Sequence, residues 1–223
     1  MKKGVLLLSV LAVLAISVEA FAEAPKAEGL KFAIGARVGH NFYRDGNTRL
    51  DSSAGSLGNM DYSNKSAWMY GINGTAQFNE YFSVELGVDR TIASESNAKI
   101  GGVSYKLGDG TQTPLTLTGR IHYPVGIFSP YVGAGFGYYF RSFDKDNSFF
   151  NPAATVKVDD GWGYHVNAGT EIFITEARNI ALNLDFKYVW AEANLTASNG
   201  PVWIKGTMKF DSFITGIGIK YYF

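Results

Sequence analysis

Residues 180–190 read Ile-Ala-Leu-Asn-Leu-Asp-Phe-Lys-Tyr-Val-Trp. Ile180, Leu182, Leu184, Phe186, Tyr188 and Trp190 share one parity, and Ala181, Asn183, Asp185 and Lys187 share the other. Side chains along a strand alternate between faces, so an extended segment here separates an apolar, aromatic face from one carrying charge and amide. A helix would scatter both sets around its circumference.

Seven further segments repeat the pattern, beginning near residues 30, 68, 82, 115, 131, 162 and 213. In the first, Phe32, Ile34, Ala36 and Val38 oppose Lys31, Ala33, Gly35 and Arg37, and in the last, Ile217, Ile219, Tyr221 and Phe223 oppose Gly218, Lys220 and Tyr222. The links between segments alternate strictly in length. Those at 44–66, 94–112, 142–159 and 191–205 are long, whereas those at 79–80, 124–129 and 175–179 are short. This is the plan of an all-β fold: an eight-stranded antiparallel transmembrane β-barrel with short periplasmic turns and long extracellular loops. A soluble barrel would instead turn its apolar face inward. Aromatic residues near the segment ends (Trp68, Tyr123, Trp162, Trp190) and the aromatic stretch ending in Tyr221 and Phe223 favour lipid, because such rings settle at headgroup depth. Eight strands leave an interior that side chains fill, or that holds one small ligand, and exclude a wide aqueous pore.

Composition agrees with this plan. The chain of 223 residues is 46% hydrophobic and 15% aromatic, yet its 20 basic and 20 acidic residues cancel. That balance argues against nucleic acid as a partner. With no cysteine, disulfides, thiol nucleophiles and Cys-ligated metals are excluded. Lys2 and Lys3 precede an apolar run over 5–18 and then Ala20-Phe21-Ala22. Residues 1–22 are therefore expected to be a secretory signal cleaved after Ala22, the run being shorter than the ~20 residues of a spanning helix. The barrel would occupy 23–223, in the cell outer membrane.

Three stretches resemble the outer-membrane protein W (OmpW) family. They are Thr113-Pro114-Leu115-Thr116-Leu117, the run from Ser129-Pro130-Tyr131-Val132-Gly133 to Tyr138, and the ending Gly216-Ile217-Gly218-Ile219-Lys220-Tyr221-Tyr222-Phe223. The likeness in segment order and spacing covers most of the mature chain, although Pro-Tyr-Val-Gly-Ala-Gly also occurs in the OmpA and OmpX groups. The resemblance implies a narrow conduit or pocket for small hydrophobic molecules, sometimes with a lateral exit into the bilayer. The polar first loop over 50–66 departs from the family pattern.

The polar face predicts a lumen-lining network of Lys31, Arg37, Glu85, Asp89, Arg120, His122, Arg141, His165, Glu171, Asp185, Lys187 and Lys220. Unpaired charge in a narrow, partly dry interior is costly, so opposite signs should pair into a plug. A gate beneath a passage is the sharper reading of the same residues. Gly133, Gly135 and Gly137 lack phosphate-loop spacing and are expected to make room for bulky inward neighbours. Aromatic residues of the long links should pack among themselves, and Phe149, Phe150 and Trp203 are candidates for an apolar mouth that receives a solute. His40, His122 and His165 form no metal-ligand motif.

The expected function is passive passage or binding of small hydrophobic molecules, with no enzymatic chemistry, cofactor, catalytic residue or metal. Expected partners are the lipid bilayer, lipopolysaccharide, the barrel-assembly machinery and a small hydrophobic solute. A sealed surface barrel that contacts lipopolysaccharide or host factors is the alternative. A lipid-modifying enzyme using His40, the outward histidine, is a third reading.

Overall fold

The computed structural model describes residues 29–100 and 103–223; the expected signal segment and its expected boundary at Ala22 lie outside them. The described chain is antiparallel β-structure: β1 (Lys31–Tyr43), β2 (Gly46–Ser52), β3 (Gly55–Asn64), β4 (Ala67–Gln77), β5 (Phe82–Thr91), β6 (Ser94–Ile100), β7 (Val103–His122), β8 (Phe128–Lys145), β9 (Thr155–Val158), β10 (Gly161–Phe173), β11 (Ile180–Asn199), β12 (Val202–Lys209) and β13 (Ser212–Tyr222). Pairing runs from β1 through β4, β5, β7, β8, β10, β11 and β13, and β13 pairs again with β1.

The described residues thus form thirteen strands where the alternation suggested eight. The difference lies in the long links, expected to be loops. They contain β2, β3, β6, β9 and β12, together with extensions of β7, β8 and β11. The shorter strands build a collar in which β12 pairs with β11 and β2, and β3 joins β2 to β6, which returns to β7. Their alternation was hidden because a strand standing in water needs no apolar outer face.

β11 displays the change along one strand. Beyond Ala181 its inward residues are first polar, with Asn183, Asp185 and Lys187 all buried, and become apolar at Val189, Ala191, Ala193, Leu195 and Ala197. Its outward residues reverse in the opposite sense, from Leu182, Leu184 and Phe186 to Glu192 and Asn194, all exposed. The lower part of the wall is therefore greasy outside and ionic inside. The collar has the ordinary polarity of a water-soluble protein, with a core of Met60, Tyr62, Ala98, Leu107, Val158, Ala193, Leu195 and Met208. Leu50, Phe143, Phe150, Val156 and Phe210 pack against that core, so several aromatic and aliphatic residues of the long links do pack together.

The lower outer surface is a belt of exposed apolar side chains that includes Ile34, Val38, Leu86, Phe136, Phe186 and Ile219. Trp68 and Trp162 are 60% and 66% exposed, a degree that a protein in plain water would rarely present across so broad a surface. Tyr221 is exposed too and stacks on Phe223 at 6.4 Å between ring centres. At this end Phe223 N–H donates to the Phe32 carbonyl at 2.9 Å, tying the last residue to β1.

Candidate functional site

The interior has two storeys. In the lower one, Arg37 on β1 faces Asp89 on β5 through paired bonds, Nε to Oδ1 at 2.7 Å and Nη2 to Oδ2 at 2.6 Å. Its Nη1 donates to Glu85 Oε1 at 3.0 Å. Glu85 also takes Arg120 Nη2 on Oε1 and Arg120 Nη1 on Oε2, both at 2.6 Å, and Lys220 Nζ lies 2.8 Å from Oε2. Lys220 reaches on to Glu171 Oε1 at 2.7 Å, and Tyr222 donates its hydroxyl to Glu171 Oε2 at 2.5 Å. These side chains, on β1, β5, β7, β10 and β13, thus form one continuous chain of ion pairs and hydrogen bonds across the barrel axis.

A second network fills the space beside the first. Asp185 accepts from the Tyr131 hydroxyl at 2.8 Å and from Asn167 Nδ2 at 2.7 Å, while Asn183 Nδ2 donates to the Tyr131 oxygen at 2.9 Å. The Arg120 guanidinium lies 4.6 Å from the centre of the Tyr131 ring, joining the networks by a cation–π contact. His122 bridges Ser83 at 2.8 Å and Ser129 at 3.2 Å, and His165 meets Thr118 at 2.9 Å. Lys187 is buried as well.

Such filling is possible because the strands carry glycine where the largest polar groups need space. A Cβ at Gly71 would overlap the Asp89 carboxylate, and one at Gly135 would lie 2.8 Å from His165 Nε2. Gly133 and Gly137 are crowded in the same way, by Asn167 and by Thr116. Parity along each strand identified these inward residues, but not their partners.

Eleven of the twelve residues expected in the lumen are buried; Lys31 is not. It has the inward parity but stands at the first position of β1, opposite Gln77, where the side chain reaches water at the open end. Ionic groups there escape the desolvation that forces the others to pair.

Above the plug lies an apolar cleft with a cavity of about 40 Å³ that opens to solvent. Leu107, Phe143, Val158, Leu195, Met208 and Phe210 form much of its wall, with Tyr43, Gln112 and Arg141 among its polar lining. Gln112 Nε2 donates to the Tyr43 hydroxyl at 2.7 Å. Arg141 is 3% exposed; its Nη1 donates to the Asp159 carbonyl at 3.2 Å, and its guanidinium lies 5.0 Å from the centre of the Phe210 ring. None of these pocket residues except Arg141 was singled out from sequence as a site residue. The inversion of polarity after Lys187 was the available signal, since inward apolar residues had to line something.

The residues expected at an apolar mouth lie in the collar. Phe149 and Phe150 meet at 5.0 Å, Phe149 lies 5.8 Å from Tyr105, and Phe150 packs on the collar core. Trp203 sits on β12, across β11 from β9, with Lys205 Nζ 5.0 Å from its ring. His40 is packed against Phe42 at 4.5 Å and Trp68 at 4.9 Å, an aromatic setting on the outer wall.

The comparisons with known proteins agree with this architecture. The chain resembles a putative outer membrane protein of Rickettsia bellii, at 25% identity over 68% of this chain and 63% of the relative. An uncharacterized outer-membrane protein, y4mB, of Sinorhizobium fredii is 27% identical over 66% of this chain and 62% of the relative. The match thus spans less than two thirds of either relative's length. Among solved structures, OprG of Pseudomonas aeruginosa superposes with a TM-score of 0.78 at 20% identity, covering 87% of this chain and 96% of OprG. AlkL, solved in DMPC lipid bilayers, gives 0.57 at 20% identity with 90% and 93% covered, and outer membrane protein W of E. coli gives 0.50 at 17% with 87% and 98% covered. The profile of the OmpW family matches residues 28–223, and the chain accordingly belongs to the OmpW family of the cell outer membrane.

Proposed function

We propose that β1, β4, β5, β7, β8, β10, β11 and β13 form an eight-stranded transmembrane wall, and that the protein takes up small hydrophobic molecules from outside into the collar cleft, without chemistry or cofactor. The observation that carries this reading is the stacking of an apolar cleft on a continuous ionic plug. An ion entering from the collar meets a filled lumen. A nonpolar solute finds a desolvated apolar wall, and hydrophobic transfer supplies its affinity.

A solute held above the plug needs another way out, and the β8–β9 side of the collar supports a sideways one. β8 pairs with β10 up to Tyr139 and Gly161. Beyond that point Arg141 and Lys145 on β8 bond to the carbonyls of Asp159, Asn151 and Pro152. Side-chain latches part more readily than a strand ladder. The bilayer and lipopolysaccharide would contact the aromatic belt, the assembly machinery would insert the barrel, and residues 1–22 would be removed after Ala22.

The filled lumen also favours a second reading, a sealed surface barrel that contacts lipopolysaccharide or host factors. Purified protein in vesicles separates the two. The uptake reading expects negligible ion conductance together with faster entry of a hydrophobic fluorophore than in protein-free vesicles. Equal entry rates overturn it and leave the sealed barrel.

A further inference from the structure

We infer that the collar cleft selects neutral hydrophobic molecules that carry a carbonyl group, with the side-chain amide of Asn64 as the group that reads it. This deepens the uptake reading and rests on the cleft being its solute site.

Asn64 is the last residue of β3 and has the inward parity of Met60 and Tyr62. It lines the cleft together with Ser94 and Ser96 of β6, and it pairs with Ser96 in the ladder between the two strands. The β3–β6 side of the cleft is therefore polar, whereas Leu107, Phe143, Val158, Leu195 and Met208 make much of the remaining wall apolar. Both serine hydroxyls on the polar side have acceptors. Ser94 donates to the Lys65 carbonyl, and Ser96 donates to Asn64 Oδ1 at 2.6 Å. The amide is thus held with its oxygen on Ser96. Asn64 is only 8% exposed, and its Nδ2 has no hydrogen-bond partner among the described residues.

A buried donor left without an acceptor is costly, and a molecule that brings an acceptor to it removes that cost. A site holding such a donor also discriminates against an isosteric analogue that lacks the acceptor. The missing partner of Nδ2 is an acceptor. A carbonyl oxygen supplies one without adding a hydrogen that would need a partner of its own. An ionised head would have to give up its hydration to a cavity with largely apolar walls. At about 40 Å³ the cavity admits a small head group rather than a whole chain, so the alkyl tail extends through the open mouth along Leu107, Phe143 and Met208. A long-chain methyl ketone combines these features.

The test uses the mature barrel in phosphatidylcholine nanodiscs, with isotopic labels on the Met and Leu methyl groups and on the Asn side-chain amides. It is titrated with 2-undecanone and separately with 2-methyl-1-undecene, in which a methylene group replaces the carbonyl oxygen. Met208, Leu107 and Leu195 report on the cleft, and Leu86 on the lipid face reports on partitioning into the bilayer. The expected result is a cleft affinity for the ketone about fivefold or more above that for the alkene, each referred to its concentration in the lipid, the scale of one neutral hydrogen bond. The Asn64 amide proton resonances should move downfield with the ketone and stay in place with the alkene. Asn64→Leu, which keeps the volume and removes the donor, should lose the preference. The wild-type comparison and the amide shift stand even if that variant folds poorly. Equal binding of the two probes, or a preference for the ketone that leaves the Asn64 amide unmoved, overturns the inference and leaves the cleft as a solute site that Asn64 does not read. If neither probe moves the cleft methyls, the uptake reading fails and the inference goes with it.

Discussion

Arg37 and Asp89, 52 residues apart in sequence, meet as a two-bonded pair inside the barrel, at 2.7 and 2.6 Å. β4 lies between their strands, and it can do so because Gly71, paired with Asp89, has no side chain to intrude on the carboxylate. The pair joins the strand that opens the wall to the strand two places on, so its bonds cross the lumen rather than following the ladder.

Removing one member should cost more than removing both. Asp89→Leu leaves the Arg37 guanidinium buried with Glu85 alone and is expected to destabilise by about 3–5 kcal/mol. The double change Arg37→Met with Asp89→Leu should lose less than the single Asp89 change, because it removes the stranded charge. Urea unfolding in lipid vesicles measures both. A double mutant less stable than the single one would refute this account of the plug.

Gly71→Ala should destabilise by about 1–3 kcal/mol through overpacking against Asp89. A methyl group added at Gly74, three residues on in the same strand, would meet nothing within 4 Å, and Gly74→Ala should stay within about 0.5 kcal/mol. The same unfolding measurement distinguishes the two sites.

Leu184 and Thr196 lie on the outward face of β11, one in the greasy belt and one in the collar. Leu184→Arg is expected to cost about 2–4 kcal/mol if it sits near the bilayer midplane. Thr196→Arg, facing water, should change stability by no more than about 0.5 kcal/mol. Similar costs at the two positions would move the membrane boundary away from Lys187 and Trp190.

Leu195→Ala removes a buried side chain from the collar core and should destabilise the collar by about 2–5 kcal/mol. Amide exchange should quicken in β2, β3 and β12 while the amides of 183–187 stay protected, because the wall below keeps its own ladder. Uptake of a hydrophobic fluorophore should fall with it. Uniform quickening along all of β11 would mean that collar and wall unfold as one unit.

The lower wall was legible in the sequence because two solvents act on it at once. Asp185 and Lys187 between Leu184, Phe186 and Tyr188 declare both the strand and its inward face. The collar strands were not legible. Residues of β2 and β3 such as Thr48, Arg49, Asp51, Asn59 and Asp61 show no contrast between faces, because water bathes the outside and a mixed interior lies within. Lys31 shows the limit of parity from the other side: the right face at the end of a strand is still in water.

Alternation and the rhythm of the links were enough to determine the antiparallel β-class, the outward greasy face and most of the inward ionic set, because each depends on what neighbouring residues in one strand meet. Which carboxylate holds which cation, and the apolar cleft above them, were decided by tertiary structure alone. Those contacts depend on register between strands far apart in the chain, as in the bond between Lys220 and Thr75, 145 residues away, and a local period of two carries no information about register across the barrel.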